Sequence, residues 1–285
     1  RTMTDAGAHE AEPGRDGREV ARGRAAAGMH GVLLTVAYDG GPFSGFARQP
    51  NARTVAGELD GAVRSLSPTA TPVRGASRTD AGVHALGQRV AFDTPLDLPA
   101  RAWLHSINRE LPPEIRVTRA ATAPVGLEPR FVALRKTYRY VLFESRVADP
   151  FLRGRAWRIP DRLNHELMRE VALPLLGEHD FAAFRAAGDE REDTVRRLFR
   201  IEVRTGRRDD ERLSEVVVEG NRFMYRMVRI IVGSLVDVAI GRLDAARMAQ
   251  ALHEKKRERL GRTAPPEGLY LDSIVLGDDG RDAWP

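Results

Sequence analysis

Between residues 31 and 276, short apolar runs of period two alternate with stretches of helical period, and the order of the two kinds repeats along the chain. In "GVLLTVAYDG", Val32, Leu34, Val36 and Tyr38 alternate with Leu33, Thr35 and Ala37, which predicts a largely buried strand closed by an Asp-Gly-Gly turn. Thr54 is placed to start a helix whose Val55, Leu59, Val63 and Leu66 share one face, and a Ser-Pro pair stops it. A strand over 89–93, a helix over 100–110 with Trp103, Ile107 and Leu111 in register, and a strand over 115–121 complete the first pass. The second begins with the strand "RKTYRYVLFE" from Arg135. It continues through a helix over 161–173, strands over 195–205 and 213–219, two helices between 223 and 260 and a closing strand "LYLDSIVL".

This repeated order is the split βαβ layout of ferredoxin-like and RRM-like domains, so the predicted fold is α+β. Two related domains, over 31–126 and 127–278, are expected to carry antiparallel or mixed sheets that flank a central basic active-site cleft. The Pro- and Gly-bearing "TAPVGLEPRF" is the expected junction. Residues 1–30 mix charges of both signs with Gly and Ala and show no apolar period, so a disordered tail is expected there, with a short C-terminal tail over 279–285.

Charge bears on the partner. Forty-five basic side chains face 40 acidic ones, and only Lys136, Lys255 and Lys256 among the basic residues are lysines. Arginine richness of this kind follows from GC-rich coding as readily as from function. A net charge of +5 nevertheless suits a phosphate-rich partner if the arginines are clustered. Arg222, Arg226 and Arg229 do share one face of a helical wheel with Gly233, opposite Met224, Met227, Ile231, Leu235 and Val238; this predicts a basic rail that a nucleic-acid backbone could approach at the glycine. The chain has no cysteine and no run of about 18 apolar residues, from which a cytoplasmic protein outside any membrane is expected. The seven histidines form no metal-ligand spacing, and no phosphate-cradling Gly loop occurs; neither a metal nor a cofactor is expected.

One stretch concentrates the chemistry. In "GASRTDAGVHALGQRV" a lone acid, Asp80, follows Arg78 by two residues, so in extended backbone the two side chains leave on the same side. On spacing alone Asp80 is favoured as a turn former whose carboxylate accepts local backbone hydrogens. The alternative is that Arg78 orients and ionises a nucleophile or base.

That stretch resembles the active-site segment of the tRNA pseudouridine synthase A (TruA) family, which carries a Gly-Arg-Thr-Asp-Ala-Gly-Val-His run. "YDGGPFSGFARQP", "INRELPPEIRV", "RKTYRYVLF", "LLGEHDFAAFRAAG", "MVRIIVGSLVDVAIGR" and "APPEGLYL" follow the same family in order. The resemblance implies a homodimeric isomerase converting uridine to pseudouridine at positions 38, 39 and 40 of the tRNA anticodon stem-loop, without a cofactor. It implies Asp80 as the essential nucleophile, attacking C1′, adding to C6 or acting through C2′. Arg78 becomes its ion-pair partner beside the target nucleotide, and Tyr138 the aromatic beside the uracil. His84 would support the loop or touch RNA, Arg222, Arg226 and Arg229 would meet the backbone, and the Ala-Gly after Asp80 would give a flipped nucleotide room to approach. The chain departs from the family pattern at Ser77, where Gly is usual, at Glu128 and Pro129, and at Tyr225 and Arg226. These departures keep two other readings open, a non-catalytic RNA-binding protein and a synthase acting on another RNA or a free nucleotide.

Overall fold

Strand β1 (His30–Tyr38) is buried on nearly every residue because it sits between two partners, β3 (His84–Thr94) and β4 (Ile115–Ala123), both antiparallel to it. The computed structural model describes residues 28–189, 192–207 and 210–277. The expected tails therefore lie outside the described residues, apart from residues 28–30, of which His30 opens β1. Helix α1 (Val55–Leu66) is capped as its sequence predicts, with the Thr54 hydroxyl accepting from the Gly57 amide at 3.3 Å, a contact worth about 1 kcal/mol. Its Val55, Leu59 and Val63 are buried, and α2 (Ala100–Glu110) seats Trp103 edge-on against Phe92 at 5.2 Å. The short β2 (Arg74–Gly75) pairs with β3.

The second stretch passes through α3 (Pro129–Val132), β5 (Ala133–Glu144), β6 (Trp157–Ile159), α4 (His165–Ala172), β7 (Gly177–Asp180), β8 (Val195–Arg207) and β9 (Asp210–Gly220). Helices α5 (Met227–Ala239) and α6 (Ala246–Glu254) and strand β10 (Leu269–Leu276) complete it. The strands of both stretches lie in one sheet ordered β4-β1-β3-β10-β5-β9-β8-β7, with β2 on β3 and β6 on β5. The chain is thus a mixed α/β molecule with a large, mostly antiparallel sheet, as the α+β expectation requires. The last strand makes the junction: β10 runs antiparallel to β5 over most of its length and parallel to β3 through Tyr270 and Leu271 alone. Relative strand order is the same on both sides of that junction, β4-β1-β3-β2 in one and β10-β5-β9-β8 in the other. Among the described residues no helix is long and apolar enough to cross a membrane.

Helix α5 corrects the predicted rail. All 13 of its residues are buried, so no solvent face exists for arginines to occupy. It begins at Met227; Arg226 precedes it as a left-handed cap (φ 58°), and Arg222 lies in the loop before that. A Cβ on Gly233 would stand 1.9 Å from the Arg262 carbonyl oxygen, so this glycine admits the protein's own backbone and not a phosphate.

Candidate active site

Residues 76–83 run between the two stretches of the chain. Side-chain alternation is kept, with Ser77 and Thr79 buried and Arg78 exposed. The amide of Ala76 donates to the Arg89 carbonyl at 2.8 Å, and Gln88 brackets Ser77 by accepting from its amide (3.2 Å) and donating to its carbonyl (2.7 Å). Thr79 shares a 2.8 Å hydrogen bond with the Tyr38 hydroxyl. The backbone then turns, with the Val83 amide donating to the Asp80 carbonyl at 3.2 Å and Gly82 at φ +78°, a conformation that glycine adopts without strain. The space beside Gly82 is taken by Pro266, 3.1 Å from where a Cβ would stand, so this glycine serves the turn and does not open room for a nucleotide.

Asp80 belongs to the turn by its backbone and to the site by its side chain. Its carboxylate Oδ2 accepts from Arg229 Nη1 at 2.8 Å, from a residue 149 positions away, while Oδ1 has no hydrogen-bond partner among the described residues. Arg229 is itself fixed, its Nε donating to the Ala264 carbonyl at 2.7 Å and its side chain only 10% exposed. Arg78 is not the partner; among the described residues no carboxylate lies within ion-pair distance of it, and its side chain is exposed. The signal for the true partner was present in "MVRIIVGSLVDV": one arginine within a helix apolar all round must find a carboxylate from elsewhere.

Around Asp80 lies a cavity of about 930 Å³, large for a small-molecule pocket and bounded by Arg78, Tyr138, Arg222, Phe223, Arg226 and Arg229 among others. Seven arginine and lysine side chains line it against four carboxylates, so its field is positive. Arg222 and Arg226, though not on a helix, are exposed and reach the same cavity as Asp80; Arg226 lies 4.7 Å over the Tyr225 ring. Tyr138 stands on β5 with its ring edge-on to Phe223 at 5.1 Å. Its hydroxyl is 3.0 Å from Ser77 Oγ. Burial pushes the phenol up to about 12; Ser77 opposes the shift and the nearby Asp80 charge adds to it, so Tyr138 is protonated at neutral pH.

His84 is not in the cavity. It is 1% exposed, stacks on Tyr270 at 4.6 Å, accepts the Gly40 amide at Nδ1 (3.0 Å) and presents Nε2 to the carbonyls of Gly154 and Glu267 at 2.9 and 3.2 Å. These partners suit the neutral ring with its proton on Nε2, and burial lowers its pKa accordingly. Of its two expected roles, this geometry serves loop support and leaves no surface for RNA. Glu128, one of the departures, lies 3.4 Å from Arg74, which also pairs with Asp93 at 2.9 Å. Sequence reasoning passed over Lys136 and Phe223, whose neighbours in the cavity come from distant segments.

Residues 34–131 and 171–275 match the profile of a family described as tRNA pseudouridine synthase. The tRNA pseudouridine synthase A of Bacillus subtilis (strain 168) is 42% identical over 245 residues, covering 85% of this chain and 98% of that protein. The protein of the same name from Acetivibrio thermocellus is 37% identical over 246 residues, covering 86% and 99%. That of Halalkalibacterium halodurans is 41% identical over 242 residues, covering 85% and 90%. A match over most of the chain, at this identity and nearly end to end on the relatives, settles the family: this chain belongs to the tRNA pseudouridine synthases.

Proposed function

We propose that this enzyme, an isomerase converting uridine to pseudouridine in tRNA, carries out the reaction through Asp80 on uridines 38, 39 and 40 of the anticodon stem-loop. The observation that carries the site is the Asp80–Arg229 pair, a carboxylate with one oxygen held at 2.8 Å by a buried guanidinium and the other left to the cavity. In the reaction the N1–C1′ bond breaks, a C5–C1′ bond forms, the C5 proton is lost and N1 gains one, so atoms and charge balance without an external reactant. Attack at C1′, addition to C6 and action through C2′ all begin from an oriented carboxylate, which is what Arg229 supplies.

A base paired in a stem must leave its stack, at a cost of a few kcal/mol that contacts along the RNA offset. Tyr138 and Phe223 offer aromatic surface to the extruded uracil, while Arg78, Arg222 and Arg226 meet phosphates at the exposed rim. Recognition is then by shape and backbone more than by base edges. The equal strand orders on either side of β10 support two related RRM-like halves, meeting at this cleft. A homodimer, one tRNA touching both subunits, belongs to the same reading.

The test is tritium release from tRNA labelled at C5 of uridine, comparing wild type with Asp80→Asn, followed by mapping of the modified positions. Release by wild type and none by Asp80→Asn is expected. Undiminished release by the variant overturns the assignment of Asp80, and modification outside positions 38 to 40 overturns the assignment of the target.

A further inference from the structure

Ser77 stands where the resembling family usually has glycine, and its side chain is not idle. Its hydroxyl lies 3.0 Å from the Tyr138 hydroxyl and 3.3 Å from the Lys136 ammonium, which also donates to the Ala76 carbonyl at 2.7 Å. Lys136 and Tyr138 are two residues apart on β5, so they leave the strand on one face and reach the same serine. Gln88 grips the Ser77 backbone from both sides, and the residue is 7% exposed. The oxygen is thus placed by four hydrogen bonds that do not depend on substrate.

The direction of the Ser77–Tyr138 bond follows from counting donors. An ammonium only donates, so Ser77 Oγ accepts from Lys136. A buried hydroxyl proton must also find an acceptor. Among the described residues the acceptor that Ser77 Oγ reaches is the Tyr138 oxygen; the neighbouring Ala76 and Ser77 carbonyls are taken by Lys136 and Gln88. The positive charge behind Ser77 polarises its O–H toward Tyr138 in the same sense. Tyr138 is thereby the acceptor in this bond, and its own proton is left to point into the cavity.

We propose that Lys136 and Ser77 form a relay that fixes Tyr138 as a hydrogen-bond donor to a carbonyl oxygen of the extruded uracil, with Ser77 as a positioning residue acting through the tyrosine. Uracil carries acceptors at O2 and O4, and both gain negative charge when the base separates from the sugar with the bonding electrons. A donor aimed there stabilises that charge more than it stabilises the neutral base. The phenol's high pKa agrees with a donor and disagrees with a tyrosinate base. A glycine at 77 has no hydroxyl to pass the polarisation on, so the relay distinguishes this chain from the pattern it otherwise follows.

The inference rests on the proposed site, and a double-mutant cycle on the full chain separates the two. Ser77→Ala, Ser77→Thr, Tyr138→Phe and Ser77→Ala/Tyr138→Phe are compared with wild type by C5 tritium release under saturating and limiting tRNA. Ser77→Ala is expected to lower kcat about tenfold, the worth of one polarised hydrogen bond, with KM within about twofold. Ser77→Thr, which restores the hydroxyl, returns kcat to within about twofold. In the Tyr138→Phe background, Ser77→Ala has no further effect on kcat. An equal loss in both backgrounds, or no loss in the first, overturns the relay. Should Ser77→Ala fail to fold, Ser77→Cys, a weak donor of similar size, is expected to lie between alanine and threonine, and a kcat equal to wild type overturns the relay. Activity surviving Asp80→Asn refutes the site itself; an inactive Asp80→Asn beside an unaffected Ser77→Ala refutes the relay alone.

Discussion

Arg229→Gln separates two roles that one arginine could play in an RNA-modifying enzyme. As a backbone contact, the role the helical wheel suggests, it would set affinity; as the clamp on Asp80 it sets geometry. The structure gives it a 2.8 Å bond to Asp80 and a 2.7 Å bond to the Ala264 carbonyl, with side chains 10% and 22% exposed for Arg229 and Asp80. Removing one partner of a buried ion pair costs about 3–5 kcal/mol because the other charge is left stranded. Asp80 keeps some solvent, so the lower end, about 2–3 kcal/mol of stability, is expected. Once unclamped, the carboxylate samples other rotamers, and a misplacement of about 1 Å costs roughly a hundredfold in rate. Tritium release at saturating tRNA should therefore show kcat falling about a hundredfold while KM moves little, and binding measured across a salt series should keep its slope. Arg229→Lys, which cannot hold Ala264 and Asp80 together in the same fork, should fall between. The opposite pattern, kcat unchanged with KM raised and the salt slope reduced by about one, would show that Arg229 meets phosphate and that its pairing with Asp80 is incidental.

Arg222 and Arg226 are the counterpart. Reversing both charges should weaken tRNA binding and lower the salt slope by about two, with kcat at saturating tRNA preserved; unchanged affinity in filter binding would make them solvated surface. His84 predicts a pH effect on stability. Burial holds its pKa below 6.5, so the folded ring is neutral while the unfolded chain takes up a proton as pH falls through 6.5; stability present above that pH is lost below it, by up to about 1.4 kcal/mol per pH unit. Thermal melting between pH 7.5 and 5.5 should cost wild type more than His84→Gln, and an equal loss would refute the assignment.

What the sequence made legible was what local periodicity encodes. Helix α2 and strand β10 begin and end where the pattern places them, because Trp103 and Ile107 repeat at helical spacing and "LYLDSIVL" alternates between turn signals. Strands β2, β6 and β7 have two to four residues, too few for a period to register. The rail failed for a related reason: a helical wheel assumes a helix, and the left-handed Arg226 ends that assumption one residue before Met227. For Asp80 the weighing of turn against catalyst posed a false choice, since its backbone makes the turn while its side chain goes elsewhere. No spacing rule links residue 80 to residue 229. The pairing of Arg78 with Asp80 was a sound inference about direction, since the two do share a side of the chain, and it failed only because a better-buried guanidinium had arrived from far away.

That long-range arrival has a visible cause in "APPEGLYL", a segment with no chemistry of its own. Ala264 receives Arg229 Nε and returns its amide to the Arg229 carbonyl at 3.0 Å; Pro265 accepts from the Tyr140 hydroxyl at 2.7 Å; Pro266 packs against Gly82; Glu267 receives His84. Four consecutive residues thus touch helix α5, strand β5, the Asp80 turn and the start of β3, and the chain then enters β10 between β3 and β5. The prolines suit this task, since their fixed φ holds an extended run that reaches several partners with little entropy left to lose. Asp80 comes from one stretch of the chain, and Tyr138, Phe223 and Arg229 from the other, so a site accurate to a fraction of an ångström requires the two stretches to be held in register. The 264–267 run does this within a few ångströms of the carboxylate, and it explains how a two-residue parallel contact between β10 and β3 suffices to seat a catalytic constellation across the sheet.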